Sequence, residues 1–359
     1  VLFLQRRAGR AGAQTCLFRL ARADRLDGGR PFVVTAGAGW LTEACAAAGI
    51  PVETLPFPSS RSLAGRLWGI RLWAWRLAAR LRQFGWAPTI VIGNDHQESL
   101  LTRALATALG VPSGVILRSS GMTGRDFVKY GCGRHDVVFA IGEDFLGRVR
   151  AFPGGEKARP LFDGLADEDF IKAPPLSSAF PECALVLGTP HPDKGWGDLL
   201  RALDRLPAEA PVRHLRLDFT AVPSDVERAG LGLDRFDLSL CRFLGHTDDF
   251  ASRLAGYDLV INASRRETFG MAALEALAAG RVLISSRTGV IERGLEEPRL
   301  LFRPADVEEL ASVLADLPAI WEAMPPVIDA ARWRLAETFG IAGALSLFRA
   351  GVALAPRRS

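Results

Sequence analysis

A chain of 359 residues with 48% apolar and 23% charged side chains is too long for one hydrophobic core and too apolar for disorder, so two folded domains are expected. The net charge of +4 hides an asymmetry: residues 1–160 hold 22 Lys+Arg against 11 Asp+Glu, and the remainder holds 22 against 29. A basic first half points to an anionic partner, and neither the totals nor the five scattered cysteines, which form no CxxC pair, imply a metal site or a disulfide framework.

Val1–Gln5 reads as a buried strand, without the basic-then-apolar pattern of a signal peptide, and the longest uncharged stretch, 104–117, is too short to span a bilayer. A reduced, cytoplasmic setting is the expectation. The strand feeds Arg10-Ala-Gly12-Ala-Gln14-Thr15 and then a helical pattern. Glycine there lets backbone approach a ligand, and the amides of the following helix favour an anion such as a diphosphate. A tight βα turn would look the same, and the full GxGxxG with its acidic partner is missing.

Further strand-like runs follow at 32–35, 89–93, 114–117 and 137–141, then at 184–187, 215–219, 238–244, 259–262, 282–285 and 300–302. Short continuous apolar runs separated by helix-length segments predict parallel strands covered on both faces, hence two Rossmann-like α/β/α domains facing an interdomain cleft. We place the first domain at 1–172 and a Pro/Ser-rich linker at 173–181. The second domain follows at 182–335, with a last helix at 336–359 that could cross back to the first.

Between residues 62 and 84 the pattern is helical. Leu63, Leu67, Ile70, Ala74, Leu77 and Leu81 make a core stripe, while Trp68, Leu72, Trp75 and Arg82 form a second line, with Arg61 and Arg71 beside it. Trp and Arg together suit an anionic membrane surface or a lipid-linked acceptor; burial against a neighbouring element is the alternative.

Leu187-Gly-Thr189-Pro-His-Pro-Asp-Lys194-Gly195 follows the first strand of the second half, where a lysine can meet a phosphate as a point charge. The most informative segment is Arg265-Arg266-Glu267-Thr-Phe269-Gly270-Met271-Ala-Ala-Leu-Glu275, closed by Gly280. A helix opening at Gly270 presents the amides of Gly270, Met271 and Ala272 to an anion, with Glu267 before that terminus and Glu275 about two turns (~12 Å) further on. Carboxylates accept paired vicinal hydroxyls well, so the two suit a hexose and a ribose flanking a diphosphate. Taken singly, each also reads as a first-turn acid or half of a salt bridge.

The order of these motifs resembles family 4 of the retaining glycosyltransferases, the group 1 glycosyl transferases of GT-B fold. The resemblance extends through 161–165, through 243–245 with Asp248-Asp249 (read here as a helix cap), and through 288–292. It implies a nucleotide diphosphate sugar as donor, bound by the domain 182–335, and a glycan or lipid-linked acceptor, bound by the domain 1–172, in cell-surface polysaccharide or glycolipid synthesis, with no metal and no other cofactor. It further implies that Glu275 binds the ribose and Glu267 the transferred sugar. Lys194, Thr189, Phe269 and the backbone at Gly12, Gly270 and Met271 would complete the donor site, with Glu267 and Lys194 as the catalytic pair. Two positions depart from the family pattern: Thr189 stands where an arginine is usual, with Arg265 or Arg266 as replacement cations, and Ser120 where a histidine is usual, His96 after the strand 89–93 being no obvious replacement. A nucleotide-sugar epimerase or hydrolase on the same scaffold is the alternative enzyme; a nucleic-acid binder lacks any supporting motif.

Overall fold

The structure is a computed structural model that describes residues 1–58, 68–170, 174–245, 247 and 249–356. Arg61, Leu63, Leu67, Ala173 and Asp248, all invoked above, lie outside the described residues. Contacts divide the chain into two units, Val1–Gly164 with Ile341–Ser359, and Leu165–Gly340. The sequence reading sets its boundaries at 172 and 335. The contacts set them at 164 and 340, because Leu165 bridges Gly340 in parallel and its amide donates to Phe339 O at 2.8 Å.

The first unit is built on a seven-stranded sheet: β1 (Leu2–Gln5), β2 (Phe32–Thr35), β3 (Val52–Thr54), β4 (Val91–Gly93), β5 (Ser113–Leu117), β6 (Val137–Ile141) and β7 (Arg159–Leu161). Their order is β3-β2-β1-β4-β5-β6-β7, every pair parallel, with Leu4 in register with Val34 on one side and Gly93 on the other. Alternation along β1 sends Leu2 and Leu4 into a core with Ile70, Ala74, Leu77 and Leu81 of helix Ile70–Gln83. Phe3 goes the other way and stacks on Phe348 of helix Ile341–Ala353, centroids 5.7 Å apart. That last helix is also tied by Arg349, whose Nη2 donates to Asp24 Oδ1 at 2.8 Å. β3 and β7 escape sequence reading because each is a three-residue edge strand carrying a charge, Glu53 or Arg159, so neither makes an apolar run.

The predicted stripe on Ile70–Gln83 is core over its described length, and Trp68, Leu72 and Trp75 are exposed by 74%, 49% and 62%. Trp73 was not anticipated: it is buried edge-on against Phe57 at 5.2 Å.

The second unit has β8 (Cys183–Val186), β9 (Arg216–Phe219), β10 (Cys241–Phe243), β11 (Leu259–Asn262), β12 (Val282–Ser286) and β13 (Leu301–Phe302) in the order β10-β9-β8-β11-β12-β13, again all parallel. Asp249 caps helix Phe250–Ala255 by accepting from Ser252 N at 2.9 Å. In both sheets the strand order reverses beside the first strand, between β1 and β4 and between β8 and β11. Open α/β sheets bind ligands beyond the carboxyl ends of their strands at such a reversal. Among the described residues no helix is long and apolar enough to cross a membrane.

Candidate donor site and its counterpart in the first unit

The loops after β8 and β11 meet at the reversal of the second sheet. After β8 the chain turns through Gly188 into a single 3-10 turn, Pro192–Lys194, and then through Gly195 into helix Trp196–Asp204. Gly195 has φ +64°, and a Cβ there would lie 1.9 Å from the carbonyl oxygen of Ala263 just past β11. Only glycine allows the two loops to touch. Their backbones are also bonded directly, Arg265 N donating to Asp193 O at 2.7 Å.

That contact brings Lys194 Nζ to 2.6 Å from Glu267 Oε1, across 73 residues of sequence. Ser264 Oγ sits 2.8 Å from the same oxygen and 2.8 Å from Asn262 Oδ1, and its single proton serves one at a time. Asn262 Nδ2 donates to Ser285 Oγ at 3.0 Å, so a buried polar net under the site runs across the ends of β11 and β12. Ser286 Oγ adds a bond to Ser264 O, and sequence reading missed these three serines, although their place at the ends of apolar strands was the available signal.

Helix Met271–Ala278 begins at Gly270, φ +90°. Its first intrahelical bonds run from Ala273 N and Leu274 N to Gly270 O, at 3.0 and 3.1 Å, so the amides of Gly270, Met271 and Ala272 precede them at the positive end of the helix dipole. Glu275 is half-buried on this helix. Phe269 requires a correction: its ring is buried against Phe339, centroids 5.3 Å apart, so it anchors the loop and leaves only its backbone for a ligand.

The arginines proposed as replacement cations are engaged. Arg265 grips the buried Asp198 of helix Trp196–Asp204 with two bonds, Nε to Oδ2 at 2.6 Å and Nη2 to Oδ1 at 2.7 Å. Arg266 donates to Asp193 Oδ2 at 2.6 Å. Arg265 therefore clamps the two loops, because two charge-assisted bonds to a buried carboxylate are not given up readily. Thr189 is exposed, leaving Lys194 as the cation that meets Glu267.

In the first unit a second polar cluster stands at the β1/β4 reversal. Asn94 donates through Nδ2 to Gln5 Oε1 and to Ala13 O, the latter at 3.0 Å. Arg118 donates to Asn94 Oδ1 at 3.0 Å and to Asp163. Asp95 receives Ser119 Oγ at 2.9 Å and faces His96 Nδ1 at 2.9 Å. Burial opposes a charge on His96, but the hydrogen bond and charge of Asp95, with the charges of Glu98 and Asp126, together raise the imidazole above its ordinary value. Ser120 lies beyond β5, its carbonyl accepting from Arg148 Nη2 at 2.5 Å. Gly12 opens helix Gly12–Leu26, whose first turn comes to this cluster through the Ala13 carbonyl.

Glu98, two residues past His96, is 2% exposed, and burial, then repulsion from Asp95, pushes its carboxyl up to about 7. Between the ordinary glutamate value and 7 the folded state binds the extra proton, so stability falls as pH rises through that window by up to about 1.4 kcal/mol per pH unit. Denaturant unfolding of Glu98→Gln and the parent at pH 5 and pH 8 should show the parent losing more stability than the variant; equal losses would contradict a buried, protonatable Glu98.

Residues 182–319 match the family model described as glycosyl transferases group 1. No curated protein matches the chain. Among solved structures the chain is similar to Anabaena HepE in complex with UDP and glucose, at 18% identity and TM-score 0.77 over 98% of each chain. It is also similar to sucrose-phosphate synthase from Thermosynechococcus elongatus, at 16% identity and TM-score 0.75 over 98% of each chain. A third, WaaG, a glycosyltransferase involved in lipopolysaccharide biosynthesis, gives 15% identity and TM-score 0.68 over 99% of each chain. The fold is therefore GT-B, two Rossmann-like units as in these structures, and residues 182–319, the stretch that pairs Lys194 with Glu267, match the group 1 glycosyl transferase model.

Proposed function

We propose that the chain is a retaining, metal-independent hexosyltransferase that moves a sugar from a nucleoside diphosphate to a glycan or lipid-linked acceptor in cell-surface polysaccharide or glycolipid synthesis. The observation that carries this reading is the Lys194–Glu267 pair, seated at a strand-order reversal beside a helix N-terminus. Three elements there address the three parts of a donor. Lys194 and the amides at Gly270–Ala272 neutralise the diphosphate, Glu267 accepts from hydroxyls of the transferred sugar, and Glu275 accepts from the ribose hydroxyls. As the glycosidic bond breaks, negative charge grows on the departing diphosphate, and a fixed ammonium with helix amides stabilises that charge without a divalent cation. HepE, crystallised with UDP-glucose and similar in fold, supports this type of donor. Incubation with a panel of nucleotide sugars should release nucleoside diphosphate in the presence of EDTA, and NMR of the product should show the donor's anomeric configuration kept. An inverted product overturns retention, and a strict need for Mg²⁺ overturns the metal-free arrangement.

The reading of a membrane-side acceptor rests on helix Ile70–Gln83 and its preceding residues. Trp68, Leu72 and Trp75 are exposed, and Arg71, Arg76, Arg80 and Arg82 share the helix with no acidic residue. Amphipathic rings beside cations match an anionic headgroup layer. The chain should float with vesicles containing phosphatidylglycerol at low salt, and Trp68→Ser with Trp75→Ser should abolish flotation. An unchanged sedimenting fraction would contradict membrane association.

A further inference from the structure

Glu267 Oε1 lies 2.6 Å from Lys194 Nζ and 2.8 Å from Ser264 Oγ, and Ser264 Oγ lies 2.8 Å from Asn262 Oδ1 as well. The serine has a single proton for two oxygen acceptors. If that proton goes to Asn262, none remains between Ser264 and Glu267, and two oxygens face each other at 2.8 Å while Lys194 already donates to the second. Lone pairs opposed in this way repel, and with Ser264 1% and Asn262 3% exposed, bulk water does not relieve the repulsion.

Exchanging the amide nitrogen and oxygen of Asn262, which moves no other heavy atom, resolves the conflict. The amide nitrogen then donates to Ser264 Oγ, and Ser264 donates to Glu267 Oε1. Ser285 Oγ, 3.0 Å away on the other side of the amide, donates to its oxygen. Ser285 thereby gives up its bond to Ser286 O, which still accepts from the amide of Thr288 at 2.8 Å. Each contact in the net now holds a proton, and the donors run in one direction, from Ser285 through Asn262 and Ser264 to the carboxylate.

The last donor of this chain is fixed in place. Ser264 follows β11, and its carbonyl accepts from the buried Ser286 Oγ at 2.5 Å. The carbonyl before it, Ala263 O, is packed against Gly195. Lys194, by contrast, reaches Glu267 on a flexible aliphatic stem, and a bound diphosphate competes for its ammonium.

We propose that Ser264 is a positioning residue for the transfer: oriented by Asn262 and Ser285, its hydroxyl holds Glu267 in the geometry that meets the sugar while Lys194 turns to the diphosphate. This inference rests on the donor-site reading of Glu267 and Lys194.

Kinetics and calorimetry on the parent, Ser264→Ala and Ser264→Thr test it, with UDP-glucose, ADP-glucose and GDP-mannose as donors and UDP, ADP and GDP as ligands without a sugar. With the donor that the parent uses, Ser264→Ala should lower kcat about tenfold or more, the scale of a misplaced reacting group. Its Kd for the matching nucleoside diphosphate should stay within roughly twofold of the parent's, because Glu267 faces the sugar. Ser264→Thr keeps the hydroxyl and should recover most of the loss, with a thermal melt to check that the added methyl is accommodated. The inference is overturned by a parental kcat for Ser264→Ala, by a loss of nucleoside diphosphate binding as large as the loss in kcat, or by a well-folded Ser264→Thr as slow as Ser264→Ala. A parent that binds none of the nucleoside diphosphates fails the donor-site reading and takes this inference with it; an active parent matched by Ser264→Ala fails this inference alone.

Discussion

Lys194→Ala should lower kcat for nucleoside diphosphate release by about 10²-fold or more, the size of effect seen when one preorganised contact to developing negative charge is removed. The ammonium is half-buried, 2.6 Å from Glu267 Oε1, on a 3-10 turn whose position is set by Gly195 and by the Arg265–Asp198 clamp. It therefore does not reorganise as charge shifts to the leaving diphosphate. The loss should fall mainly on kcat, because the charge it stabilises is larger in the transition state than in the bound donor. Lys194→Arg should recover little, since a planar fork does not replace a compact ammonium. Steady-state kinetics on the two variants reads the outcome, and a parental kcat for Lys194→Ala would remove the leaving-group role. Ser264 still holds Glu267 Oε1 at 2.8 Å in the variant, so a large loss of stability is not expected.

Gly195→Ala should damage the fold and the site together. At φ +64° an L-residue is strained, and the new Cβ would meet the Ala263 carbonyl oxygen at 1.9 Å, a backbone atom that cannot rotate away. Strain in the left-handed region and overpacking together cost roughly 3 kcal/mol. For a unit of this size that lowers the melting temperature by roughly 6–12 °C. Relief by parting the two loops would draw Lys194 away from Glu267, so activity should fall even below the melting transition. Calorimetric scanning with an assay at low temperature separates the two effects; an unshifted melt would contradict the close approach of the loops.

The strands were readable wherever they are central, because a strand covered on both faces must be apolar throughout; Phe32–Thr35, Val137–Ile141 and Leu259–Asn262 were placed to the residue. The edge strands β10 and β13 fall within anticipated runs, but Val52–Thr54 and Arg159–Leu161 do not, because each has only three residues and one of them is charged. In the second unit the glycines and glutamates around Gly270 were legible as a motif. That Arg265 serves as a clamp was not, because its partner Asp198 lies 67 residues away on another helix. Phe269 misled for a related reason: an aromatic residue inside a binding motif reads as a contact to ligand, and only the neighbouring Phe339 reveals that it is an anchor. The cluster of Gln5, Asn94, Glu98, Arg118 and Asp163 joins the ends of β1, β4, β5 and β7, and no local periodicity encodes such a meeting.

Calorimetric titration of the chain and of Glu275→Ala with a panel of nucleoside diphosphates and their sugars tests the central claim most directly. A nucleoside diphosphate should bind the parent chain, its matched sugar derivative should also raise the melting temperature by mass action, and Glu275→Ala should weaken binding about tenfold or more through loss of the ribose contact. If no member of the panel binds, or if Glu275→Ala binds as the parent does, the segment from Glu267 to Glu275 is not the donor site.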